Sequence, residues 1–214
     1  MPTVYLCDFD GTIAPDDVGA ALVQRFSDLP AAVRAGLLAD WKAEAIGHRA
    51  LTEAECARMR VGEEEALAFT RSFAIDPDFA PFVGEVQARG DAVTVVSEGF
   101  DFYIHDLLDR AGLGALPVLA NRARFAGGGV TPEFPHTDPS CRRCGNCKGR
   151  HVRDWSARGW RTVFVGDGGS DRCGARAAEV VVARGDLLAW CGEQGIPARS
   201  FAGFADLRAD FAAA

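Results

Sequence analysis

Two pairs of aspartates, each following a run of apolar residues, are the side chains of this sequence best placed to do chemistry. Asp8 and Asp10 end the first run, and Asp167 and Asp171 follow a later one. Two nearby carboxylates can share a hard cation such as Mg²⁺, and the first pair, two residues apart in an extended chain, points to the same side. The alternative for each pair is a solvated turn with aspartates as ordinary capping residues.

A hydroxyl and a lysine elsewhere in the chain are suited to holding an anion. Ser97, expected at the tip of the strand at 92–96, and Glu98 precede a predicted helix. Backbone N–H groups at a helix start attract phosphate oxygens. Lys148 precedes a helix predicted at 149–158, where a cation is unfavourable unless it and the helix end face a shared anion. An ordinary serine cap and a solvated lysine are the alternatives.

The elements that would position these residues alternate between strands and helices. Short apolar runs, typical of strands buried on both faces of a parallel sheet, occur at 3–9, 92–96, 162–165 and 180–183, with a weaker one at 117–119. Helical patterns occupy 78–89, 101–111 and 149–158. The alternation predicts an α/β fold with a parallel sheet. Because ligands bind such sheets at the carboxyl ends of the strands, the polar residues above are expected at one edge.

Two segments depart from this alternation. Residues 14–75 hold no strand-like run and are divided by prolines and glycine into three or four short predicted helices, which we interpret as an insertion after the first strand. Residues 122–147 predict a hairpin at roughly 123–134 and then an irregular loop. The predicted domains are therefore a core of residues 1–13 and 76–214 and a helical cap of residues 14–75.

The irregular loop carries three cysteines with the spacing Cys141-x2-Cys144-x2-Cys147. Three thiolates so spaced, with His136 upstream, could form a closed Zn²⁺ site, although zinc sites usually pair two separated Cys-x2-Cys units. The alternative is a compact loop whose thiols are structural or form a disulfide when oxidised. In either case the loop would position Lys148, which directly follows Cys147.

Composition excludes several classes of protein. The chain has 214 residues, of which 48% are hydrophobic and 25% charged, as in a globular protein and not a disordered one. With 30 acidic and 23 basic residues the net charge is −7, which argues against a nucleic-acid binder. The sequence has no apolar stretch near the ~18 residues of a membrane span and no signal-peptide pattern. Together with an odd cysteine count of 7, this predicts a cytoplasmic protein and leaves its oligomeric state open.

The order of these motifs resembles that of the haloacid dehalogenase superfamily of phosphotransferases over nearly the whole chain. The residues that carry the resemblance are, in order, Asp8-Phe9-Asp10-Gly11-Thr12, Ser97, Lys148 and Gly166-Asp167-x3-Asp171. The helical insertion suits the cap of the phosphoserine-phosphatase-like branch. Within that branch, Asp17 and the stretches Cys144–Lys148 and Ala183–Leu188 make the chain similar to the phosphatases of methionine salvage and to the phosphoethanolamine/phosphocholine phosphatases.

The resemblance implies a role for each matched residue. Asp8 would be the nucleophile that forms an aspartyl-phosphate. Asp10 would be the general acid that protonates the leaving alcohol and then the base that activates water. Ser97, with Glu98 beside it, and Lys148 would bind the phosphate. Because a phosphate dianion repels a carboxylate nucleophile, the lysine and a cation would offset that repulsion in the transition state.

The resemblance also implies a metal site and a region that selects the substrate. Asp167 would bind Mg²⁺ together with Asp8 and the backbone carbonyl of Asp10, with Asp171 as a further acid of the metal site. Asp17, where the cap joins the core, is the cap residue best placed to contact the substrate. The resemblance therefore implies that the cation binds at the ends of the strands and that the cap selects the leaving group.

We therefore predict a three-layer α/β sandwich with a central parallel, Rossmann-like sheet and a helical cap inserted after the first strand. The predicted function is Mg²⁺-dependent hydrolysis of a small phosphorylated metabolite through an aspartyl-phosphate, in methionine salvage or, alternatively, on phosphoserine, phosphocholine or phosphoethanolamine. A phosphomutase is the alternative within the enzyme class, and a non-catalytic zinc-binding scaffold is the alternative outside it. Neither nucleic acid nor a membrane is expected as a partner.

Overall fold

The centre of the molecule is a mostly parallel sheet, described by a computed structural model of residues 1–213. Within these residues the sheet has seven strands: β1 (Thr3–Cys7), β2 (Ala92–Phe100), β3 (Val118–Ala126), β4 (Gly129–Glu133), β5 (Arg161–Gly166), β6 (Val180–Ala183) and β7 (Ala198–Ser200). Their order is β4-β3-β2-β1-β5-β6-β7, and only β4 pairs in antiparallel fashion. The predicted strands are confirmed. Sequence patterning missed β7 because its three residues, ARS, form no apolar run.

Strand β1 lies in the middle of the sheet and contributes side chains to two hydrophobic cores. Its successive side chains point to opposite faces. Val4 and Leu6 therefore belong to one core and Cys7 to the other. All three are fully buried. Because both faces of this strand are covered, its sequence is a continuous apolar run and not an alternation of apolar and polar residues.

Helices cover both faces of the sheet. Within residues 1–213 they are α1 (Val18–Phe26), α2 (Ala31–Lys42), α3 (His48–Cys56), α4 (Glu63–Thr70), α5 (Phe79–Ala88), α6 (Asp101–Arg110), α7 (Lys148–Ser156), α8 (Arg172–Ala177), α9 (Gly185–Glu193) and α10 (Phe204–Ala213). Phe79 of α5, Ile104 of α6 and Phe204 of α10 pack on one face. Val152 of α7 and Leu187 of α9 pack on the other. These layers confirm the predicted sandwich, and none of the described helices is long and apolar enough to cross a membrane.

Residues 14–75, all of them described, form the helical segment that contains α1, α2, α3 and α4. The prediction of three or four short helices after the first strand is confirmed. Helices α1 and α3 bury residues such as Leu22 and Leu51, whereas α2, described throughout, buries none of its residues. Helix α4 begins with Glu63 and two further glutamates, which stabilise the positive end of the helix dipole. That this segment is a separate cap domain stays a prediction.

Strands β3 and β4 form the predicted hairpin. They pair over residues 122–133, and the turn between them holds Gly127 and Gly128 at φ values of 57° and 74°. Positive φ at both positions favours glycine and suits the twist of a tight hairpin. Residues 134–147 then run to α7 without a helix or strand, as the irregular loop was predicted to do.

Candidate active site

The register of the three central strands brings polar residues to one edge of the sheet. The end of β1 pairs with Val95 of β2 and with Val165 of β5. Asp8, Ser97 and Asp167 lie just beyond this level, one or two positions further along their strands. The backbone N–H of Asp8 donates to the carbonyl of Val165 at 2.9 Å. The hydrogen bonding between β1 and β5 thus extends one residue beyond the end of β1. The sequence places these side chains together because the strands are parallel.

Lys148, the first residue of α7, lies at the centre of a buried group of charges. Its Nζ donates to Asp8 Oδ1 at 2.5 Å and to Asp171 Oδ1 at 2.6 Å. It also lies 3.2 Å from Ser170 Oγ. The lysine is 0% exposed. Burial opposes its charge, but Asp171 and Asp8 outweigh burial and raise the pKa of Lys148. The side chain of Lys148 is therefore a cation held in place by hydrogen bonds to Asp8 and Asp171.

Asp171 organises the loop after β5. Its Oδ1 accepts from Lys148, and its Oδ2 accepts from the backbone N–H groups of Asp167 and Gly168, each at 3.0 Å. The residue is completely buried. Because both of its oxygens have partners, Asp171 fixes the lysine relative to the tip of β5.

The carboxylates of Asp8, Asp167 and Asp171, here named the acidic cluster, fit a divalent cation. One oxygen from each lies within 4.8 Å of the others, and carboxylate oxygens are donors that Mg²⁺ prefers. Burial, with Asp171 adding to it, raises the pKa of Asp167 to about 6 and also raises the pKa of Asp8. Three carboxylates face a single lysine, so negative charge is left over for a cation to neutralise.

Asp10 lies at the N-terminus of α1. Its Oδ1 accepts from the backbone N–H groups of Val18 and Gly19 at 2.9 and 3.2 Å, and its Oδ2 accepts from the hydroxyl of Tyr103 at 2.6 Å. Burial, and then the neighbouring Asp17, raise the pKa of Asp10 to about 7, while the hydrogen bonds act in the opposite direction. This carboxyl group can therefore hold or release a proton near neutral pH.

Ser97 and Asp17 make local hydrogen bonds beside the site. Ser97 Oγ accepts from the N–H of Gly99 at 2.9 Å. The expectation that Ser97 lies at a strand tip was wrong, because β2 continues to Phe100 through a shift of register against β3. Asp17 caps α1 by accepting from the N–H of Ala20 at 2.7 Å, which is an ordinary role for aspartate before a helix.

Glu98 connects three parts of the molecule. Its Oε2 accepts from the backbone N–H of Gly145 at 3.0 Å and lies 2.9 Å from Nδ1 of His48 in α3. Burial disfavours a charged imidazole, but Glu98 outweighs it and raises the pKa of His48. The other oxygen, Oε1, is buried without a hydrogen-bond partner among the described residues. Glu98 thus ties the helical segment and the cysteine loop to β2.

A cavity of about 180 Å³ lies between this edge of the sheet and helices α1, α2 and α3. The core contributes acids and a hydroxyl to its lining, and the helical segment contributes groups of both charges and an indole. These residues include Asp8, Asp10, Ser97, Glu98 and Asp167 from the core and Asp17, Arg34, Trp41, His48 and Glu55 from the helical segment. The cavity is smaller than the roughly 300–1,000 Å³ of sites for drug-sized ligands, so its volume suits a small metabolite.

Thr12 and Arg184 support the first acidic turn, and the sequence reasoning gave neither of them a role. Thr12 Oγ1 donates to Asp167 Oδ1 at 2.9 Å. Arg184 donates to the backbone carbonyls of Gly11 and Thr12. A signal existed for both, since Thr12 belongs to the first motif and Arg184 directly follows β6, at the same edge of the sheet.

Tyr103 and Asn146 also position the site, and neither was singled out from the sequence. Asn146 donates to the carbonyls of Ser97 and Leu119 at 2.8 and 2.6 Å, and its Oδ1 lies 2.6 Å from Nε2 of His151. The loop before Lys148 is thereby attached to β2 and β3. The sequence around Tyr103 predicts a helix but does not show that its hydroxyl reaches Asp10. A signal existed for Asn146, which lies within the stretch Cys144–Lys148.

The cysteine loop is compact, and a cysteine from another part of the chain joins it. The sulfur atoms of Cys141, Cys144 and Cys147 lie within 4.8 Å of one another. Sγ of Cys173 lies 3.9 Å from that of Cys144. His136, considered above beside these thiols, instead packs against another histidine ring with 5.6 Å between centroids. All the cysteines are free.

Fold and site together define a Rossmann-like α/β enzyme with aspartates and a buried lysine at the carboxyl edge of its sheet. The family model of the haloacid dehalogenase-like hydrolases matches residues 5–176. The chain belongs to the haloacid dehalogenase-like hydrolase family, which confirms the resemblance seen in its motifs. The prediction of an enzyme, specifically a hydrolase, is likewise confirmed.

Relatives match this chain over nearly its full length. A 2-hydroxy-3-keto-5-methylthiopentenyl-1-phosphate phosphatase of Brevibacillus brevis is 28% identical over 95% of this chain and 92% of its own. A protein of the same name from an Exiguobacterium species is 31% identical over 98% of this chain and 97% of its own. Among solved structures, a substrate-bound phosphoserine phosphatase has a TM-score of 0.72 at 17% identity, covering 97% of each chain. The phosphoserine phosphatase of T. onnurineus has a TM-score of 0.72 at 16% identity, covering 99% of this chain and 94% of its own. These structures confirm the fold.

Proposed function

We propose that this hydrolase is a Mg²⁺-dependent phosphatase that cleaves a small phosphomonoester through an aspartyl-phosphate on Asp8. One observation carries the proposal. The carboxylate of Asp8 lies at the tip of the central strand, 2.5 Å from the buried Nζ of Lys148, and lines the same small cavity as Asp10. The phosphatase names of relatives at 28–31% identity support the reaction class.

Asp8 is the nucleophile of the first step. Because Lys148 holds its Oδ1, Oδ2 is the oxygen available to attack phosphorus. The bond between phosphorus and the ester oxygen breaks as that oxygen takes a proton from Asp10. Ser97 Oγ accepts from a backbone N–H, so its own hydroxyl proton is free to donate to a phosphate oxygen.

Asp10 reverses its role in the second step. Its carboxylate accepts a proton from water, and the water oxygen attacks the phosphorus of the aspartyl-phosphate. The bond from phosphorus to Asp8 then breaks, which releases inorganic phosphate and restores the carboxylate. The hydrogen bond from Tyr103 and those from the N-terminus of α1 keep Asp10 in one position through both steps.

Asp8, Asp167 and the backbone carbonyl of Asp10 would hold the Mg²⁺ ion, with Asp171 as the further acid that fixes Lys148 nearby. When bound, the ion supplies positive charge that offsets repulsion between the nucleophile and the phosphate dianion. Thr12 orients Asp167 through its hydrogen bond of 2.9 Å. The chain's own contribution is therefore a rigid set of oxygen donors with one lysine beside it.

We assign the choice of leaving group to residues 14–75, acting as a cap. The methionine-salvage substrate in the names of the relatives is the first candidate. Phosphocholine or phosphoethanolamine is the second, since the acids Asp17 and Glu55 on the cavity wall would attract a cationic leaving group. Arg34 and His48 on the same wall would favour a more polar or anionic leaving group, such as phosphoserine. Each already faces an acid, because Arg34 pairs with Glu55 at 3.4 Å and His48 lies 2.9 Å from Glu98.

A substrate panel tests this function. Phosphate release is measured with Mg²⁺ for p-nitrophenyl phosphate, 2-hydroxy-3-keto-5-methylthiopentenyl-1-phosphate, phosphoserine, phosphocholine and phosphoethanolamine. Acid-quenched enzyme is digested, and the peptide that contains Asp8 is examined for a phosphoryl group by mass spectrometry. We expect turnover of at least one metabolite with the highest kcat/KM for the methionine-salvage compound, and a phosphorylated peptide. Absence of turnover across the panel contradicts the phosphatase assignment, and phosphate transferred to a second hydroxyl of the substrate indicates a mutase.

A further inference from the structure

Four cysteines from two separate parts of the sequence meet next to the candidate active site. Cys141, Cys144 and Cys147 lie on the loop before α7, and their sulfur atoms lie within 4.8 Å of one another. Cys173 lies on α8, with its Sγ 3.9 Å from that of Cys144. These four residues are named the cysteine cluster below.

The sulfur atoms of the three loop cysteines lie within 4.8 Å of one another, and Cys173, outside that group, approaches Cys144 at the spacing of a tetrahedral metal site. A Zn–S bond of about 2.3 Å in a tetrahedron separates the sulfur atoms by about 3.8 Å. The sulfur atoms of Cys144 and Cys173 are 3.9 Å apart. A disulfide requires about 2.05 Å, and the cysteines of this chain are free. Thiolates are soft ligands that favour zinc over Mg²⁺ or Ca²⁺.

Charged side chains of both signs lie beside the cysteine cluster. Arg153 and Arg176 line the same surface depression as three of its cysteines. Asp138 lines this depression too and accepts a hydrogen bond from Arg153 at 2.8 Å. Four thiolates around one Zn²⁺ carry an excess of negative charge, which nearby guanidinium groups stabilise. Because Arg153 pairs with Asp138, Arg176 is the arginine of this depression that adds net positive charge beside the thiols.

We propose that Cys141, Cys144, Cys147 and Cys173 bind one structural Zn²⁺ ion. Four protein ligands leave no open coordination position for water or substrate, which is the pattern of structural and not catalytic zinc. The fourth ligand comes from outside the Cys-x2-Cys-x2-Cys loop. The site is independent of the phosphatase assignment, because none of its ligands belongs to the acidic cluster.

This zinc site would join the two segments that hold the buried ion pair. Cys147 directly precedes Lys148, and Cys173 follows Asp171 by two positions. Helices α7 and α8 already pack so closely that a Cβ at Gly149 would lie 2.6 Å from the carbonyl oxygen of Cys173. An ion that links the two helices fixes the separation between the lysine and its aspartate.

Metal analysis of the full chain tests the proposal. Untagged protein is purified under reducing, chelator-free conditions, and its metals are measured by plasma mass spectrometry and X-ray absorption. We expect about one zinc per chain with four sulfur neighbours at about 2.3 Å. Cys173→Ala should lose the zinc, lower Tm by at least about 5 °C and weaken the binding of inorganic phosphate several-fold. The matched control Cys191→Ala, a buried free cysteine in α9, should keep its zinc.

Several outcomes would overturn the site. Wild-type protein that holds no zinc and takes none up from a buffered zinc solution has no such site. Zinc retained in Cys173→Ala shows that the fourth ligand is another residue. Iron in place of zinc, or a disulfide between two members of the cysteine cluster, also rejects the proposal. If Cys173→Ala does not fold, the X-ray absorption spectrum of the wild type decides alone, because fewer than four sulfur neighbours contradicts the four-cysteine site.

Discussion

The acidic cluster and the cysteine cluster each gather groups that repel one another when ionised, and they differ in the compensation that the chain supplies. In the acidic cluster, Lys148 contacts two of the three carboxylates, and backbone N–H groups contact Asp171. In the cysteine cluster, the three loop sulfur atoms lie within 4.8 Å of one another, and that of Cys173 lies 3.9 Å from that of Cys144. Lys148 therefore neutralises part of the acidic cluster from within the chain, whereas the proposed Zn²⁺ would be the cation in contact with the thiolates.

The difference assigns separate duties to the two clusters. Lys148 lies between them in the chain, one residue after Cys147, with its ammonium group among the aspartates. The acidic cluster holds the groups that would react with phosphate, and the cysteine cluster holds the backbone that carries the lysine. Changes in the first should therefore alter the rate more than the stability, and changes in the second should do the reverse.

The largest effect is expected from Asp8→Asn. Asparagine has nearly the same shape but cannot attack phosphorus, so kcat for p-nitrophenyl phosphate should fall roughly 10⁴-fold or more, the scale for loss of a catalytic nucleophile. Tm should not fall, because the change removes one charge from a group with excess negative charge. Steady-state kinetics and thermal unfolding measure both. Asp154→Asn, at a half-exposed position on α7, should keep full activity. More than a few per cent of activity in Asp8→Asn, with deamidation excluded by mass spectrometry, contradicts the nucleophile.

Chelation should separate the two metals. Brief dialysis against EDTA is expected to abolish phosphate release, and Mg²⁺ alone should restore it. Ca²⁺ should be a poor substitute, because it prefers a larger and looser ligand shell. Zinc content measured before and after dialysis should stay the same. Full activity in the metal-free enzyme would reject the magnesium site. Activity that returns only with added zinc would show that zinc, and not Mg²⁺, is the catalytic metal.

Replacing the buried lysine should affect both rate and stability. Lys148→Met leaves Asp8 and Asp171 without their shared cation. We expect kcat to fall roughly 10²–10³-fold and the free energy of unfolding to fall by about 3–5 kcal/mol, as for a broken buried ion pair. Activity assays and urea denaturation measure these effects. Lys42→Met, an exposed position at the end of α2 and the chain's other lysine, is the matched control. An unchanged rate would exclude Lys148 from phosphate binding.

The sequence predicted the acidic cluster because parallel strands impose their own geometry. Asp8 and Asp167 lie at the ends of strands predicted from apolar runs, and strands of one parallel sheet end at the same edge. Lys148 was found through a motif and not through geometry, since nothing in its local sequence shows that it reaches across to the end of β1. Three or four short helices were likewise predicted in residues 14–75, but the pairing of His48 with Glu98 depends on how that segment packs over the sheet.

Contacts that depend on tertiary packing could not be predicted. Cys173 is isolated in the sequence, and only the close approach of α7 and α8 brings it to Cys144. Ser97 was expected at the end of β2, but the strand continues to Phe100. The shift of register that allows this cannot be recognised in an apolar run. Tyr103 lies in the segment 101–111, for which the pattern predicts a helix and nothing more. Its hydroxyl gains a role only because α6 passes beside Asp10.

Tyr103→Phe is expected to have the smallest effect, and it isolates the second aspartate from the acidic cluster. The change removes the hydrogen bond of 2.6 Å to Asp10 Oδ2 but keeps the ring in its buried position. If Asp10 protonates the leaving oxygen, loss of this contact should slow substrates with a poor leaving group more than p-nitrophenyl phosphate, whose leaving group needs little protonation. We expect kcat to fall about tenfold for an alkyl phosphate such as phosphoserine or the metabolite preferred in the panel, and about two- to threefold for p-nitrophenyl phosphate, within the 10²–10⁴-fold that a complete general acid contributes.

The chain's other tyrosine supplies the control for that comparison. Tyr5→Phe alters a half-buried ring on β1 that packs edge-on against Phe82 and should leave both substrates unaffected. KM should change little in either variant, because Tyr103 contacts an acid and not the phosphate. An equal loss of kcat for both substrates in Tyr103→Phe would mean that the tyrosine supports the fold of the site in general. A loss confined to the poor leaving group supports a tyrosine that positions the general acid, and so separates proton transfer at Asp10 from nucleophilic attack at Asp8.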